Sequence, residues 1–172
     1  MTFNDIYTEY GKLIFNLALQ YVHNVEDAEE ITQDVFVKVN EGLSTFRNNS
    51  SIKTWIYRIT IHQSLDFIKS RKNRKRSFIS SFWNHKDKDF KYLHTQFNHP
   101  GIELEQKEAT EAIFKAINQL SPRQKTVIIL LKIEGKSQNE SAELMNMSEK
   151  ALESLFQRAK KNLEKLLNYS KG

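Results

Sequence analysis

A block of positive charge follows an aromatic-headed apolar stretch in the first half of the chain. Five of the six residues from Arg71 to Arg76 are basic, and the stretch before them opens with Trp55, Ile56 and Tyr57. Lysine and arginine neutralise phosphates, and aromatic rings stack on unpaired bases. Rings, cations and the polar loop before them together suit single-stranded nucleic acid. The alternative is a solvated charge cluster at a helix C-terminus, where cations are favoured.

Three carboxylates upstream could bind a metal or a basic partner. Asp27, Glu30 and Asp34 are spaced three and four residues apart, so they share one face of a predicted helix. A di-metal site would need a Glu-x-x-His pattern and a second carboxylate helix, and the chain has neither. There is no cysteine, no ligand spacing among the five histidines, and neither a glycine-rich phosphate loop nor a nucleophile elbow. We therefore predict no enzyme, no metal and no cofactor, and interpret the carboxylates as a solvated or docking face.

The last third of the chain predicts a short capped helix, a turn and a longer helix. Ser137 and Glu140 have the spacing of a capping box, Asn146 tolerates a left-handed turn, and Ser148 can cap the final helix. This arrangement is a helix-turn-helix. Amides, hydroxyls and cations on the outward face of the second helix are the groups that read base edges and phosphates. The alternative is a helical hairpin with a solvated polar face.

Helical periodicity positions these side chains. Apolar residues recur at helical spacing in both halves of the chain, and five glycines with two prolines disfavour an all-β fold. Periodicity fails between Ser77 and Gly101. We therefore predict an all-α protein with two small helical domains, residues 1–76 and 104–172, joined by an extended linker over residues 77–103. The linker keeps aromatic residues, so we expect part of it to dock on another surface.

Charge and hydropathy narrow the class of protein further. The formal net charge is +5 and the isoelectric point is near 9.3, a modest bias toward anionic partners. The longest apolar run, Val127 to Leu131, is far shorter than the about 20 residues of a membrane span. Asp5 and Glu9 stand where a signal peptide would be basic. We expect a cytoplasmic protein without membrane insertion.

Three segments, in this order and spacing, resemble a bacterial sigma factor of the extracytoplasmic-function (ECF) class of the sigma-70 family. They are "DAEEITQDVFVKV", "FRNNSSIKTWIYRITIHQSLDFIKSRKNRK" and "LSPRQKTVIILLKIEGKSQNESAELMNMSEKALESLFQRAKKNL". The resemblance implies a transcription initiation factor that binds the β and β′ subunits of core RNA polymerase and directs the enzyme to promoter DNA. The first domain would be sigma region 2 and the second sigma region 4. An anti-sigma factor or another targeting protein would be a further partner.

The resemblance also implies roles for three sets of residues. The set that would dock on the coiled-coil clamp of β′ is Asp27, Glu30, Gln33 and Asp34. The set that would recognise and melt the −10 region, where the family captures a base flipped from the non-template strand, is Phe46, Asn48, Ser50, Ser51, Lys53, Trp55, Arg58, His62, Arg71, Lys72 and Arg74. The set that would contact the −35 element is Lys150, Glu153, Ser154, Gln157, Arg158 and Lys161. The linker would thread toward the active-site and RNA-exit channels of the polymerase.

Two departures from the family pattern bear on promoter recognition. Many relatives have asparagine where this chain has His62, so −10 base preference does not carry over at that position. A frequent Thr-Val-Lys-Ser-Arg pattern is here Ala151-Leu152-Glu153-Ser154-Leu155, in which an acid and an apolar residue replace two cations. Leu155 falls in the apolar stripe and is expected to pack. We predict a −35 contact dominated by backbone positioning, with limited base discrimination.

Three other functions are compatible with parts of the sequence. A stand-alone helix-turn-helix regulator with an N-terminal sensor or dimerisation domain explains the second half, but it leaves the loop, aromatics and basic run without a role. An adaptor whose helical domains bind only proteins is a second alternative. A nuclease is a third, and the lack of a carboxylate-metal constellation weighs against it.

Overall fold

The computed structural model describes residues 2–46, 50–79 and 104–169, with side chains over 2–46, 50–72 and 110–168. These residues contain helices and turns and no strand, which confirms the all-α prediction. They divide into two compact units, one with α1 to α3 and one with α4 to α7. The helices are α1 Phe3–Val22, α2 Val25–Leu43, α3 Ile52–Ile79, α4 Leu104–Gln119, α5 Pro122–Ile128, α6 Gln138–Leu144 and α7 Glu149–Tyr169.

Side-chain caps fix where the first two helices begin. The Thr2 hydroxyl accepts from the backbone N–H of Asp5 at 3.3 Å, and the Asp5 carboxylate accepts from the backbone N–H of Thr2 at 2.6 Å. The two bonds form a capping box. Asn24 caps α2 by accepting from the N–H of Asp27 at 2.8 Å. His23 ends α1 in the left-handed region, at φ 54°. The connection between the helices is therefore only two residues long.

The three helices of the first unit share one apolar core. Its fully buried members come from every helix and include Ile14 of α1, Val35 of α2 and Ile56 of α3. Trp55 and Leu43 pack at the edge of this core. Since apolar burial is the main favourable term in folding, the start of α3 is anchored to α2 by packing rather than by the loop between them.

The start and end of α3 refine the sequence interpretation. Ser51 caps the helix, because its hydroxyl accepts from the N–H of Thr54 at 3.0 Å. The helix continues to Ile79, three residues beyond the predicted end of the first domain. The rest of the predicted linker, residues 80–103, lies outside the described residues. The domain boundaries therefore stay predictions.

The second unit contains a local change of helix type that the sequence analysis did not predict. After α5 the chain makes a π-helical turn over Ile129–Ile133, in which the N–H of Glu134 donates to the carbonyl of Ile129 at 2.9 Å. Gly135 then adopts φ 63°, where a residue without Cβ carries no steric penalty. The helical stretch thus ends just before Gly135, and its last turn is wider than an α-helical turn.

The predicted helix-turn-helix is present as α6, a short turn and α7. The Ser137 hydroxyl accepts from the N–H of Glu140 at 3.1 Å, and the Glu140 carboxylate accepts from the N–H of Ser137 at 2.9 Å. Asn146 occupies the left-handed position of the turn, at φ 50°. Ala142 and Leu152 are buried where the two helices meet. Among the helices of the described ranges, none is both long and apolar enough to cross a membrane.

Candidate nucleic-acid interface

The outer face of α2 carries three of the four residues predicted to dock on the polymerase. Glu30, Gln33 and Asp34 are exposed. Asp27, at the start of the helix, has only 17% of its side chain exposed. The structure therefore separates one half-buried carboxylate, at the start of the helix, from three accessible polar groups.

Asp27 is held in an ion pair with Arg71 of α3. The Arg71 guanidinium donates a hydrogen bond to the Asp27 carboxylate, across 44 residues of sequence. The Arg71 side chain is 36% exposed. One member of the predicted polymerase-docking set is thus joined to one member of the predicted −10 set. The pair links the beginning of α2 to the start of the basic run.

Within the basic run, the structure describes the side chains of Arg71 and Lys72. Lys72 is exposed, and Arg74 lies on α3 beyond the last described side chain of that helix. Lys53 and His62 are also exposed on α3, whereas Arg58 is half-buried. The accessible cations described on this helix are therefore Lys53, near its start, and Lys69 and Lys72, beside Arg71.

Trp55 lies in an aromatic pair at the foot of the loop between α2 and α3. Its ring is 5.0 Å from that of Phe46, centroid to centroid, with the planes inclined by 37°. A Cβ added at Gly42 would lie 2.8 Å from Trp55 Cζ2, so only glycine permits this ring position. Asn48 lies outside the described residues, and Ser50 is half-buried. The indole is half-buried and packs against α2 at Gly42.

One aromatic candidate is corrected by the structure. The sequence analysis counted Tyr57 among the rings suited to unpaired bases. Its side chain is 5% exposed and belongs to the core. The interpretation of Tyr57 as a base-stacking ring is therefore wrong, and Trp55 with Phe46 remains.

The outward face of α7 contains the predicted −35 set. Lys150, Ser154, Gln157, Arg158 and Lys161 are exposed, and Glu153 is half-buried. Leu155 is 8% exposed, which confirms that it packs. Both oxygens of the Glu153 carboxylate accept hydrogen bonds, one from Gln138 Nε2 at 2.7 Å and one from Gln157 Nε2 at 2.6 Å. The acid that departs from the family pattern is therefore bonded to two amides.

A buried lysine in the second unit was missed by the sequence analysis. Lys125 of α5 is 5% exposed, and its Nζ donates to Asn118 Oδ1 at 2.5 Å. Burial lowers the pKa of Lys125 to about 8. The signal was available in the sequence, because Lys125 precedes Ile128 and Ile129 by three and four residues and so shares their buried face.

Comparisons with known proteins bear on both units. Residues 6–74 match the family model of Sigma-70 region 2, and residues 110–163 match that of Sigma-70, region 4. The chain is 28% identical over 167 residues to RNA polymerase sigma factor YlaC of Bacillus subtilis, covering 97% of this chain and 92% of that protein. It is 27% identical to ECF RNA polymerase sigma factor SigX of the same organism, covering 95% and 82%.

The chain belongs to the ECF class of sigma-70 family sigma factors. Solved structures of sigma factors share the fold of this sigma factor. RpoE, in complex with the anti-sigma factor NepR from Bartonella quintana, matches with a TM-score of 0.66 at 20% identity, over 96% of each chain. CnrH, in complex with the cytosolic domain of CnrY, matches with a TM-score of 0.63 at 20% identity, over 97% of this chain and 88% of that one.

The family gives this sigma factor its general role, directing RNA polymerase to promoters. All residues of the three predicted sets lie within the two matched ranges. Their individual roles stay predictions. In the part of the sigma factor that the structure describes, no group of three histidine, aspartate or glutamate side chains is arranged to hold a metal ion.

Proposed function

We propose that this sigma factor acts in the cytoplasm, docks on the β and β′ subunits of core RNA polymerase, and melts the −10 region of promoters. The observation that carries the proposal is the combination within one chain of an accessible acidic face on α2, an aromatic pair beside a basic helix, and a helix-turn-helix. A stand-alone regulator would use only the last of these features. It follows that polymerase binding and DNA binding belong to different surfaces.

Docking on β′ is assigned to Glu30, Gln33 and Asp34. Their exposure supports this role, because accessible carboxylates on a rigid helix can meet a basic partner without reorganisation. We assign a different role to Asp27. Its carboxylate is engaged by Arg71, so it connects the docking helix to α3.

Melting is assigned to the aromatic pair and the cations near it. Extruding a base costs a few kcal/mol, and stacking on an aromatic ring returns about 1–3 kcal/mol per base. Phe46 begins the loop from Phe46 to Lys53 in which the family captures a base, and Trp55 lies two residues after that loop. Lys72, which is exposed, and Arg74 would hold the phosphates of the opened strand.

The −35 contact is assigned to α7. Lys150, Arg158 and Lys161 are exposed cations that suit phosphates, and Glu153 repels them. We propose that this contact positions the sigma factor with limited base discrimination. An anti-sigma factor or another targeting protein would add the remaining control. RpoE, which shares this fold, is in complex with the anti-sigma factor NepR.

A pull-down with core RNA polymerase tests the docking assignment. Glu30→Lys and Asp34→Lys, singly and together, should weaken the complex by about tenfold or more for the pair, because each reversal places like charges together at the interface. Asp27 is left unchanged so that its ion pair stays intact. Glu29→Lys is the matched control, since Glu29 is exposed on the same helix and about 100° around it from Glu30.

The two outcomes separate the competing functions. Retention of the double variant by core enzyme at wild-type strength would contradict the docking assignment. The sigma factor without core enzyme should bind duplex DNA weakly, since its net charge is only +5. Tight, sequence-specific duplex binding without polymerase would instead favour a stand-alone regulator.

A further inference from the structure

Glu153 connects the two helices of the helix-turn-helix through side-chain amides. Gln138, the first residue of α6, donates from Nε2 to one carboxylate oxygen at 2.7 Å. Gln157, one turn after Glu153 on α7, donates from Nε2 to the other at 2.6 Å. Gln138 and Gln157 are both exposed. The three side chains therefore form one hydrogen-bonded cluster on the surface assigned to the −35 element.

The chemistry of the carboxylate fixes how both amides face. An ionised carboxylate can only accept hydrogen bonds, whereas an amide has a donating –NH₂ and an accepting oxygen. If either glutamine flipped, its carbonyl oxygen would lie against a carboxylate oxygen. Each amide must therefore turn its –NH₂ toward Glu153. Its carbonyl oxygen and the second N–H of its –NH₂ remain for a ligand, and their relative positions are fixed.

An accepting oxygen distinguishes bases in the major groove. Adenine presents the N6 amino group and cytosine presents the N4 amino group, and both donate. Guanine presents two acceptors, N7 and O6, and thymine presents the O4 acceptor and a methyl group. In an amide that cannot flip, the oxygen accepts from the amino group of adenine or cytosine and is repelled where guanine or thymine presents an acceptor. The second N–H can still donate, for example to adenine N7 beside the amino group.

We propose that Glu153 fixes the orientation of the Gln138 and Gln157 amides, so that the fixed positions of their accepting oxygens select adenine or cytosine over guanine or thymine on the contacted strand. The proposal rests on the proposed −35 role of α7. It makes Gln138, which lies on α6 outside the predicted set, a base-reading residue and makes Glu153 a positioning residue. Discrimination stays limited because both amides read the same chemical feature at one or two base pairs.

The same cluster accounts for an acid on a DNA-facing helix. Glu153 weakens overall attraction to phosphates, as any carboxylate there would. The same carboxylate fixes the orientation of both amides before DNA binds, so less side-chain entropy is lost on binding. Glu153 would thus lower affinity and raise selectivity at once. These two effects can be separated by substitution.

The test is selection of promoter fragments randomised across the −35 region by holoenzyme assembled from the full chain and core RNA polymerase. The wild type should enrich adenine or cytosine over guanine or thymine about fivefold or more at one or two adjacent positions, the discrimination expected of one good base contact. Glu153→Gln should reduce this ratio to about twofold or less, because a neutral amide partner lets both glutamines flip. Overall affinity should rise as a negative charge is lost.

Two kinds of variant accompany Glu153→Gln. Glu164→Gln removes the same charge from an exposed position of the same helix and should keep the base preference. Gln138→Ala and Gln157→Ala should each remove part of the preference, and they carry the test if Glu153→Gln does not fold.

The outcomes distinguish this inference from the function on which it rests. A flat −35 profile, enrichment of guanine or thymine, or a preference that survives Glu153→Gln would overturn the inference while leaving the sigma role intact. Failure of the wild-type chain to form holoenzyme, measured by gel filtration before selection, would overturn the proposed function and the inference together.

Discussion

The ion pair between Asp27 and Arg71 joins the predicted polymerase-docking set on α2 to the predicted −10 set on α3. The partners are 17% and 36% exposed, so solvent screening is incomplete. We predict a coupling free energy of about 0.5–1 kcal/mol between Asp27→Asn and Arg71→Met in a double-mutant cycle of urea unfolding. Methyl NMR signals of Ile56 report the unfolding of this unit.

The Lys38–Glu41 pair, whose side chains are 53% and 58% exposed, is the control and should show weaker coupling. Coupling no stronger than in that control would contradict a structural role for the pair.

Lys125 makes the stability of the second unit depend on pH. Burial lowers its pKa from 10.5 to about 8. Below pH 8 the folded state bears the full cost of a buried ammonium. Between pH 8 and 10.5 the unfolded chain binds more protons at this residue than the folded chain does, so the free energy of unfolding rises with pH.

Lys125→Met is the variant that isolates this effect. It should raise the free energy of unfolding at pH 7 by roughly 1–3 kcal/mol, because a flexible apolar side chain replaces a charge of similar length. The gain should shrink as the pH approaches 10.5. Urea titrations at pH 7 and 10, followed through methyl signals of Ile128, measure it. Lys165→Met, at an exposed position of α7, is the control. A less stable Lys125→Met protein at pH 7, with an unchanged pH slope, would show that the Asn118 contact outweighs the cost of burial.

At the scale of elements, the approach of α2 to α3 depends on one glycine. A Cβ at Gly42 would lie 2.8 Å from Trp55 Cζ2, closer than side chains tolerate. We predict that Gly42→Ala displaces the indole and changes the Trp55 indole N–H signal in NMR spectra. The variant should also form fewer open complexes with core enzyme.

Gly11→Ala is the matched control for Gly42→Ala. Its Cβ would meet Phe36 Cζ at 3.8 Å, an ordinary contact. The substitution should be neutral or stabilising, by up to about 1 kcal/mol from helix propensity. An unchanged Trp55 signal in Gly42→Ala would mean that the ring keeps its position and that Gly42 does not set it.

Local sequence patterns predicted the elements well and the contacts between them poorly. The capping boxes at Thr2 and Ser137 and the turn at Asn146 follow from spacings of three residues and from the backbone preference of one residue type. The pairing of Asp27 with Arg71 depends on packing between helices, and no local pattern marks it. The π-helical turn lies in a continuous apolar run. Because neighbouring positions there are all apolar, their spacing does not distinguish an α-helical turn from a π-helical one.

In the candidate site, too, local features could be predicted from the sequence, whereas contacts between helices could not. The accessible positions on α2 and α7 follow from helical periodicity, since exposure repeats with the helix. The cluster around Glu153 does not, because Gln138 and Glu153 are 15 residues apart and meet only when the turn brings α6 onto α7. Sequence reasoning placed Glu153 near the groove but could not say which groups it would bind.

At the scale of the whole molecule, the two units have separate cores and separate candidate surfaces. The surfaces proposed for polymerase docking and for strand opening are both on the first unit, so variants must be chosen to affect one and not the other. Arg71 is unsuitable for this purpose because it pairs with Asp27. Lys72 is exposed, and Lys72→Glu changes the basic run without breaking that ion pair. Trp55 is the corresponding position for base stacking.

Strand opening by docked polymerase is the decisive test of the first unit. Trp55→Ala should reduce permanganate reactivity of −10 thymines on duplex promoters about fivefold or more, since stacking contributes about 1–3 kcal/mol per base. A pre-melted −10 bubble should recover much of the signal, because the cost of unpairing has been removed. Trp55→Phe should retain much of the activity, which separates loss of the ring from loss of core packing. Binding to core enzyme should be nearly unchanged in both variants. If the bubble promoter is no better than the duplex for Trp55→Ala, the ring does not act in melting, and its contacts with Phe46 and α2 are structural.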